Sequence, residues 1–150
     1  MLDFILHKTP AIFFTVALAQ PGSDLLLREI NLLRQAVRLT RAERPFVINA
    51  WVVLPDHVHA IWTLPDSDHA TRWRLIKSRF SASLPKDPQH LRSRGTWQPR
   101  FWQHDLRGPA DMAAHLRMCR NDPARHGLVQ DGADWPYSSF WAGHEQRLAG

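Results

Sequence analysis

The segment VVLPDHVHAIW, residues 52–62, places two histidines one residue apart within an otherwise apolar run. In an extended strand alternate side chains point to the same side, so His57 and His59 are predicted to share one face. Two imidazoles on one face can bind a single metal ion, although two partly solvated structural histidines fit the same pattern. A catalytic metal site needs at least one more protein ligand, which must come from elsewhere in the chain.

Candidates for the third ligand lie on a predicted helix that begins near Pro109. His115, Met118 and Asp122 stand at positions i, i+3 and i+7 and therefore share one helical face. Asp122 offers a carboxylate oxygen, and an oxygen donor combined with two imidazoles suits Mg²⁺ or Mn²⁺. An Asp before a proline is also a common turn residue, and we predict that this helix stops at Pro123.

The elements that must position these residues follow from the hydrophobic pattern. It predicts a strand over 11–19, helices over 23–43 and 68–84, and a short strand within 96–107. Residues 45–65 are predicted to form two strands separated by the turn Leu54-Pro55-Asp56. Hairpin-linked strands interleaved with helices predict an α+β sandwich with a mainly antiparallel sheet. Helices should cover one face of this sheet, and the other face should carry the histidines.

The bulk properties indicate an ordinary globular chain. Its 150 residues fit a single domain over 1–150. No apolar run approaches the roughly 18 residues that cross a bilayer, and the first residues show no secretory signal. One cysteine, Cys119, excludes an intramolecular disulfide framework. We therefore expect a cytoplasmic protein with no membrane partner.

The charge distribution is more informative. The net charge is +5, and 16 of the 19 basic residues are arginines. Residues 72–107 contain nine basic and only two acidic side chains. The planar guanidinium fork of arginine binds phosphate bidentately and stacks on bases. A basic stretch with interleaved aromatic residues suggests a nucleic acid partner, although a merely solvated basic face fits the composition equally well.

Most of these basic residues fall on the second long helix and on the loop that follows it. We predict that the aromatic residues of this helix face the core and that Arg72, Lys77 and Arg79 are more exposed. The residues predicted to contact DNA phosphates, with a strong dependence of affinity on salt, are Arg72, Arg74, Lys77, Arg79, Arg92, Arg94 and Arg100. Trp97, Trp102 and Trp135 are predicted core residues, and one of them could stack on an unpaired base.

Five segments in a fixed order carry a resemblance to a known family. They are AWVVLPDHVHAIWTLP, RWRLIKSRFS, WQPRFWQHDLR, NDPARHGLV and DWPYSSF, and they extend from about Phe13 to Phe140. Together they resemble the REP-associated tyrosine transposases, a branch of the single-tyrosine HUH transposases that includes insertion-sequence-200-like proteins. The resemblance implies a ferredoxin-like α+β fold and the binding of single-stranded, hairpin-containing DNA.

The resemblance also implies a mechanism. In that family a helix tyrosine attacks a phosphodiester and leaves a covalent 5′-phosphotyrosine, and a divalent ion polarises the scissile phosphate. His57 and His59 match the metal-binding histidines, and Asp122 stands where the family has Asn. The implied site is thus Mg²⁺ or Mn²⁺ on His57, His59 and Asp122; His115 and His126 are not predicted as ligands. Related transposases act as dimers and the REP-associated branch as monomers, so a monomer and a homodimer both stay open.

One residue departs from the family in a way that matters for cleavage. The family tyrosine falls at Met118, whose thioether has no proton to lose and cannot form a phosphotyrosine-like ester. Tyr137 is the only tyrosine, but it resembles part of a structural aromatic clasp, and Cys119 is rotated by about 100° around the helix. Three hypotheses therefore stand: a transposase-like protein with cleavage in doubt, a non-catalytic hairpin-binding protein derived from a transposase, and a metal hydrolase of small phosphate esters.

Overall fold

The computed structural model of the chain describes residues 10–85 and 95–143. The elements follow in the order β1 (Ile12–Ala17), α1 (Leu25–Arg28), α2 (Ile30–Glu43), β2 (Val47–Val53), β3 (His57–Thr63), α3 (His69–Ser83), β4 (Trp102–Asp105) and α4 (Pro109–Arg125), with a short 3₁₀ turn at Gly132–Asp134. A strand–helix–strand–strand–helix–strand order is that of a ferredoxin-like sandwich. None of the helices in the described part is long and apolar enough to span a membrane.

The four strands form one sheet in the order β2-β3-β1-β4. Every neighbouring pair is antiparallel, so the predicted α+β fold with a mainly antiparallel sheet is confirmed. The predicted turn at Leu54-Pro55-Asp56 joins β2 to β3, and the backbone N–H of Leu54 donates to the carbonyl of His57 across it (2.8 Å). In the sheet order β3 lies between β2 and β1, so it is a central strand with partners on both sides.

Each face of the sheet buries its own apolar cluster, because successive strand residues point in opposite directions. On β3, Val58, Ala60 and Trp62 pack beneath α2 and α3 in the larger cluster. Ile61 belongs to a second cluster on the opposite face, where α4 and the segment after it cover the sheet. The histidines of β3 alternate with the first set and therefore share the α4 face.

Two helices differ from the sequence prediction. The predicted helix over 23–43 is interrupted at Glu29, so that a four-residue turn, α1, precedes α2. The predicted stop at Pro123 is wrong, because α4 continues to Arg125. Pro123 lacks the N–H that would bond to the carbonyl of Cys119, but the N–H groups of His126 and Leu128 bond to the carbonyls of Asp122 and Pro123 and carry the helical turn past it. The helix ends at Arg125, and Gly127, two residues later, has a φ of +72°, the left-handed conformation that commonly follows a helix terminus.

Arg72 is a structural residue of the α2–α3 side, and the prediction that it is exposed is wrong. Only 1% of its surface is accessible. Its guanidinium donates to both carboxylate oxygens of Asp66 and to the backbone carbonyls of Arg44, Pro45 and Asp68. All five N–H donors of the side chain are therefore used within the fold, and none remains for a DNA phosphate.

We expect Arg72→Met to lower the free energy of unfolding by about 2–3 kcal/mol, because it leaves three carbonyls and a carboxylate without their charged donor. Arg74→Met, the same substitution at an exposed position of α3, should change it by less than about 0.5 kcal/mol. Urea denaturation of the two variants measures the difference, and equal effects would contradict this role for Arg72.

The Arg72–Asp66 pair also gives the stability a pH dependence. The hydrogen bond from Arg72 holds the pKa of Asp66 below its usual range. A carboxyl with a lowered pKa in the folded state stabilises the fold above its unfolded pKa of about 3.9, and loses that contribution as the pH falls through the folded pKa. The difference between wild type and Arg72→Met should therefore shrink as the pH falls below about 4.

Candidate metal centre

The two histidines of β3 and the carboxylate of α4 meet at one point between the sheet and the helix. The Nε2 atom of His59 lies 3.0 Å from Oδ2 of Asp122, and Nε2 of His57 lies 3.9 Å from the same oxygen. One ligand atom from each of the three side chains lies within 4.8 Å of the others. The structure therefore brings together the three residues that the sequence predicted as ligands.

Each histidine is oriented by a partner on its other ring nitrogen. Nδ1 of His57 is 2.7 Å from Oδ1 of Asp56, and Nδ1 of His59 is 2.8 Å from Oγ1 of Thr15. When Nδ1 carries the proton and donates it to these acceptors, the Nε2 lone pairs are left facing Asp122. Carboxylates and hydroxyls in this position commonly fix the tautomer of a metal-binding histidine and raise its basicity.

Asp122 is the buried member of the site. Only 5% of its surface is exposed, and Oδ2 makes no hydrogen bond of acceptable geometry within the described residues despite the nearby imidazoles. Buried carboxylate oxygens are normally hydrogen-bonded or bound to a metal. An orphaned Oδ2 facing two Nε2 atoms therefore fits a divalent cation, and oxygen with imidazole ligands suits Mg²⁺ or Mn²⁺.

The electrostatics of the site favour a charged carboxylate. Burial alone would raise the pKa of Asp122, but the imidazoles of His57 and His59 hold it well below its usual range. Burial would likewise lower the pKa of His57, yet the carboxylates of Asp122 and Asp56 raise it. Without a cation the site can thus hold a proton on His57, and a bound divalent ion would displace that proton.

A further imidazole stands at the edge of the site. Nε2 of His126 is 3.4 Å from Oδ2 of Asp122, and its ring makes an edge contact with His57 at 5.4 Å between centroids. Its side chain is half exposed. Neither His126 nor the orienting residue Asp56 was predicted from the sequence as part of the site. The i, i+4 spacing from Asp122 and the position of Asp56 next to His57 were the available signals.

A second histidine–aspartate cluster lies near the start of α4. Oδ2 of Asp111 is 2.8 Å from Nε2 of His104, and Oδ1 is 3.1 Å from Nδ1 of His115. Nδ1 of His115 is also 2.9 Å from the carbonyl of Asp111, and the N–H of Arg107 donates to Oδ2. The cluster is thus satisfied by its own hydrogen bonds, whereas the site at Asp122 contains an orphaned oxygen.

The candidate nucleophiles are placed as follows. Met118 is partly buried and packs against the apolar cluster under α4. Cys119 is fully buried, and this burial raises the pKa of its thiol to about 12, so a thiolate is not available near neutral pH. Tyr137 contacts Trp135 at 5.2 Å and lies under Arg34 of α2. Its carbonyl accepts from the N–H of Val53, which ties the segment to the outer strand β2 (2.8 Å).

The predicted DNA-binding residues are distributed unevenly. Arg74 and Arg100 are exposed. Lys77 donates to the carbonyl of Gln98 and lies over the ring of Phe101. The other predicted contacts, apart from the buried Arg72, are Arg79, whose guanidinium donates to Thr40 and Glu43 of α2, and Arg92 and Arg94, which lie outside the described residues.

The three tryptophans that the sequence assigned to the core differ in exposure. Trp135 is buried, and its indole N–H donates to the carbonyl of Val53 (2.8 Å). Trp97 is partly buried and packs against Phe80. Trp102 has 56% of its surface exposed, so its assignment to the core is wrong. It lies on β4 at the edge of the sheet, where a side chain has a neighbouring strand on one side only.

A ferredoxin-like sheet with two histidines on a central strand, faced by a carboxylate from a helix, is the arrangement expected from the resemblance to the HUH transposases. The comparisons agree. Over 130 residues the chain is 43% identical to the REP-associated tyrosine transposase of Escherichia coli K12, covering 85% of this chain and 74% of that protein. A relative from Haemophilus influenzae is 39% identical over 137 residues, covering 85% of this chain and 78% of its own length.

A solved structure of a REP-associated tyrosine transposase bound to a REP hairpin superposes with a TM-score of 0.80 at 40% identity. The match covers 94% of this chain and 82% of that one. No family model matches the chain. On the identity and coverage of its relatives, the chain belongs to the REP-associated tyrosine transposases, a family of DNA transposases.

We expect Asp56→Asn to weaken Mn²⁺ binding by about 10- to 100-fold, because the substitution removes the carboxylate that orients His57. Asp111→Asn is the matched control, since it makes the same change in the second histidine–aspartate cluster and should leave the affinity unchanged. Isothermal titration with Mn²⁺ measures both variants. Unchanged affinity in Asp56→Asn with a loss in Asp111→Asn would place the ion in the second cluster instead.

Proposed function

We propose that this chain binds single-stranded DNA containing REP-type hairpins, with a divalent ion held by His57, His59 and Asp122 at the DNA phosphate. The observation that carries the proposal is the buried carboxylate of Asp122, whose orphaned oxygen faces two oriented imidazoles. Family membership and the hairpin held by the solved relative support the choice of DNA. A bound Mg²⁺ or Mn²⁺ would supply Lewis-acid polarisation of a phosphate oxygen.

A basic cleft supports a second contact with the DNA. An open cleft of about 490 Å³ lies between α3 and residues 95–101, where Arg74 and Lys77 face the aromatic side chains of Trp97 and Phe101. Cationic side chains with interleaved aromatic rings suit a flexible nucleic acid strand, since they bind both phosphates and bases. The chain's positive net charge favours the same partner.

This cleft and the metal centre lie at the same end of the sheet. The N–H of Gln98 donates to the carbonyl of Ala17, so residues 96–98 continue the sheet beside β1. Ala17 in turn lies opposite His57 in the β1–β3 pair. The cleft opens on the α3 side of the sheet, whereas the metal ligands face α4, so this edge of the sheet lies between the two sites. A single DNA strand that contacts both sites must therefore pass around this edge of the sheet.

We propose further that the native chain lacks the covalent step. Position 118, where the family has its tyrosine, holds a methionine packed against the apolar cluster. Neither of the other candidate nucleophiles replaces that tyrosine. The thiol of Cys119 is buried and protonated, and Tyr137 lies outside α4 with its ring against Trp135. The chain would thus retain hairpin and metal binding but not strand cleavage and rejoining through that helix.

Met118→Tyr tests this division of roles. In the presence of Mn²⁺ and a labelled single-stranded REP-type hairpin, the variant should form a covalent adduct that survives a denaturing gel, and the wild type should form none. Met118→Phe is the matched control, because it adds the ring without the hydroxyl. An adduct with the wild type would contradict the assignment of position 118. If neither the wild type nor the variant binds the hairpin, the proposed function fails.

Arg74→Gln tests the basic cleft. If Arg74 contacts a phosphate, the variant should bind all hairpin sequences more weakly, and the slope of log affinity against log salt should become shallower by about 0.7–0.9. Arg38→Gln, at an exposed position of α2, is the control and should leave the slope unchanged. Fluorescence anisotropy at four or five salt concentrations gives both slopes. Equal slopes for Arg74→Gln and wild type would remove this residue from the DNA surface.

A further inference from the structure

The exposed indole of Trp102 lies on the same face of the sheet as the metal ligands. Trp102 pairs with Thr15 across β4 and β1, and Thr15 pairs with His59 across β1 and β3. Residues directly opposite one another in antiparallel strands share a face. Trp102, Thr15 and His59 therefore form one lateral row, and two strand spacings of about 10 Å separate its ends.

The indole is held in place although it is exposed. Its ring lies nearly parallel to that of His104, with an interplanar angle of 17° and 6.0 Å between centroids, and makes an edge contact with Phe13 at 5.5 Å. The ring of His104 is in turn stacked on His115 at 5.0 Å and bonded to Asp111. The second histidine–aspartate cluster (His104, Asp111 and His115) thus fixes the orientation of the His104 ring, which lies against the indole.

An exposed, fixed aromatic ring is suited to stacking. Exposed tryptophans on soluble surfaces are uncommon, and in proteins that bind single strands they form platforms for unpaired bases. Two exposed arginines, Arg100 and Arg107, stand in the sequence just before and just after β4. A phosphate near the metal ligands and a base near Trp102 are contacts that one strand crossing this face can make together.

We propose that Trp102 is the stacking platform for an unpaired base next to the phosphate at the metal centre. This inference rests on the proposed function, since it assumes that DNA lies across this face. It adds a requirement that hairpin binding alone does not impose: part of the affinity must come from unpaired nucleotides that flank the hairpin.

The affinities of Trp102→Ala, Trp102→Phe and wild type for a bare hairpin and for the same hairpin with unpaired flanks test this requirement. Stacking by one base corresponds to about a 5- to 150-fold change in affinity. Trp102→Ala should lose that factor for the flanked hairpin alone, and Trp102→Phe should retain most of it. Gln103→Ala, whose exposed side chain points to the opposite face of β4, should have no effect. Thermal unfolding confirms that each variant is folded.

Crosslinking locates the base directly. Hairpins with 5-iodouracil at single positions, in the flanks or in the stem, are irradiated with the wild-type protein, and the modified peptide is identified by mass spectrometry. A crosslink from a flank position to Trp102 supports the proposal. Crosslinks from the stem alone, or equal losses of Trp102→Ala for bare and flanked hairpins, would overturn it while leaving hairpin binding intact. Absence of binding to any hairpin would overturn the proposed function itself.

Discussion

The register of β3 against β1 is the constraint on which the rest of the structure depends. It places Thr15 opposite His59 and Ala17 opposite His57, so that both imidazoles face α4 while Val58 and Ala60 face the larger core. Because side chains alternate strictly along a strand, a slip by one residue would bury the histidines under α2 and α3 and expose the apolar residues. The packing of the apolar core therefore fixes the positions of the candidate metal ligands, His57 and His59, together with the fold. The same register carries Trp102 into line with the site through β4.

The second requirement is a helix that delivers a carboxylate to this face and keeps it there. α4 does so because it passes through Pro123 and ends at Arg125, which keeps Asp122 inside a helical turn and brings His126 to the edge of the site. Had the helix stopped at Pro123, Asp122 would be a terminal residue with a freer side chain. The burial of this carboxylate costs free energy unless positive charge compensates it. Here two imidazoles, oriented by Asp56 and Thr15, face the carboxylate, and a bound divalent ion would supply the positive charge.

Particular residues show how much of the fold and of the candidate site can be predicted from the sequence. The pattern around residues 45–65 predicted the hairpin and the shared face of His57 and His59, because both depend on local periodicity. The choice of Asp122 as their partner rested on the family resemblance instead. Arg72 was wrongly predicted to be exposed and Trp102 to be buried, because the exposure of each side chain depends on contacts with other segments of the chain. Arg72 is buried because Asp66 and the carbonyls of Arg44 and Pro45 satisfy its donors, and Trp102 is exposed because β4 is an edge strand. Neither fact is visible in the residue's own neighbours.

Binding of DNA and cleavage of DNA require different groups of the protein, so one can exist without the other. Phosphate contacts, a metal-bound oxygen and a stacked base all stabilise the bound state, and none requires a covalent bond to the protein. The nucleophile acts only along the reaction path, so its loss need not weaken binding of the substrate. Met118 packs against the apolar cluster under α4, where a thioether needs no hydrogen-bond partner but a phenolic hydroxyl would seek one. A methionine here is thus compatible with the fold and with Asp122 four residues later, so the proposed loss of the covalent step leaves the proposed DNA-binding face unchanged.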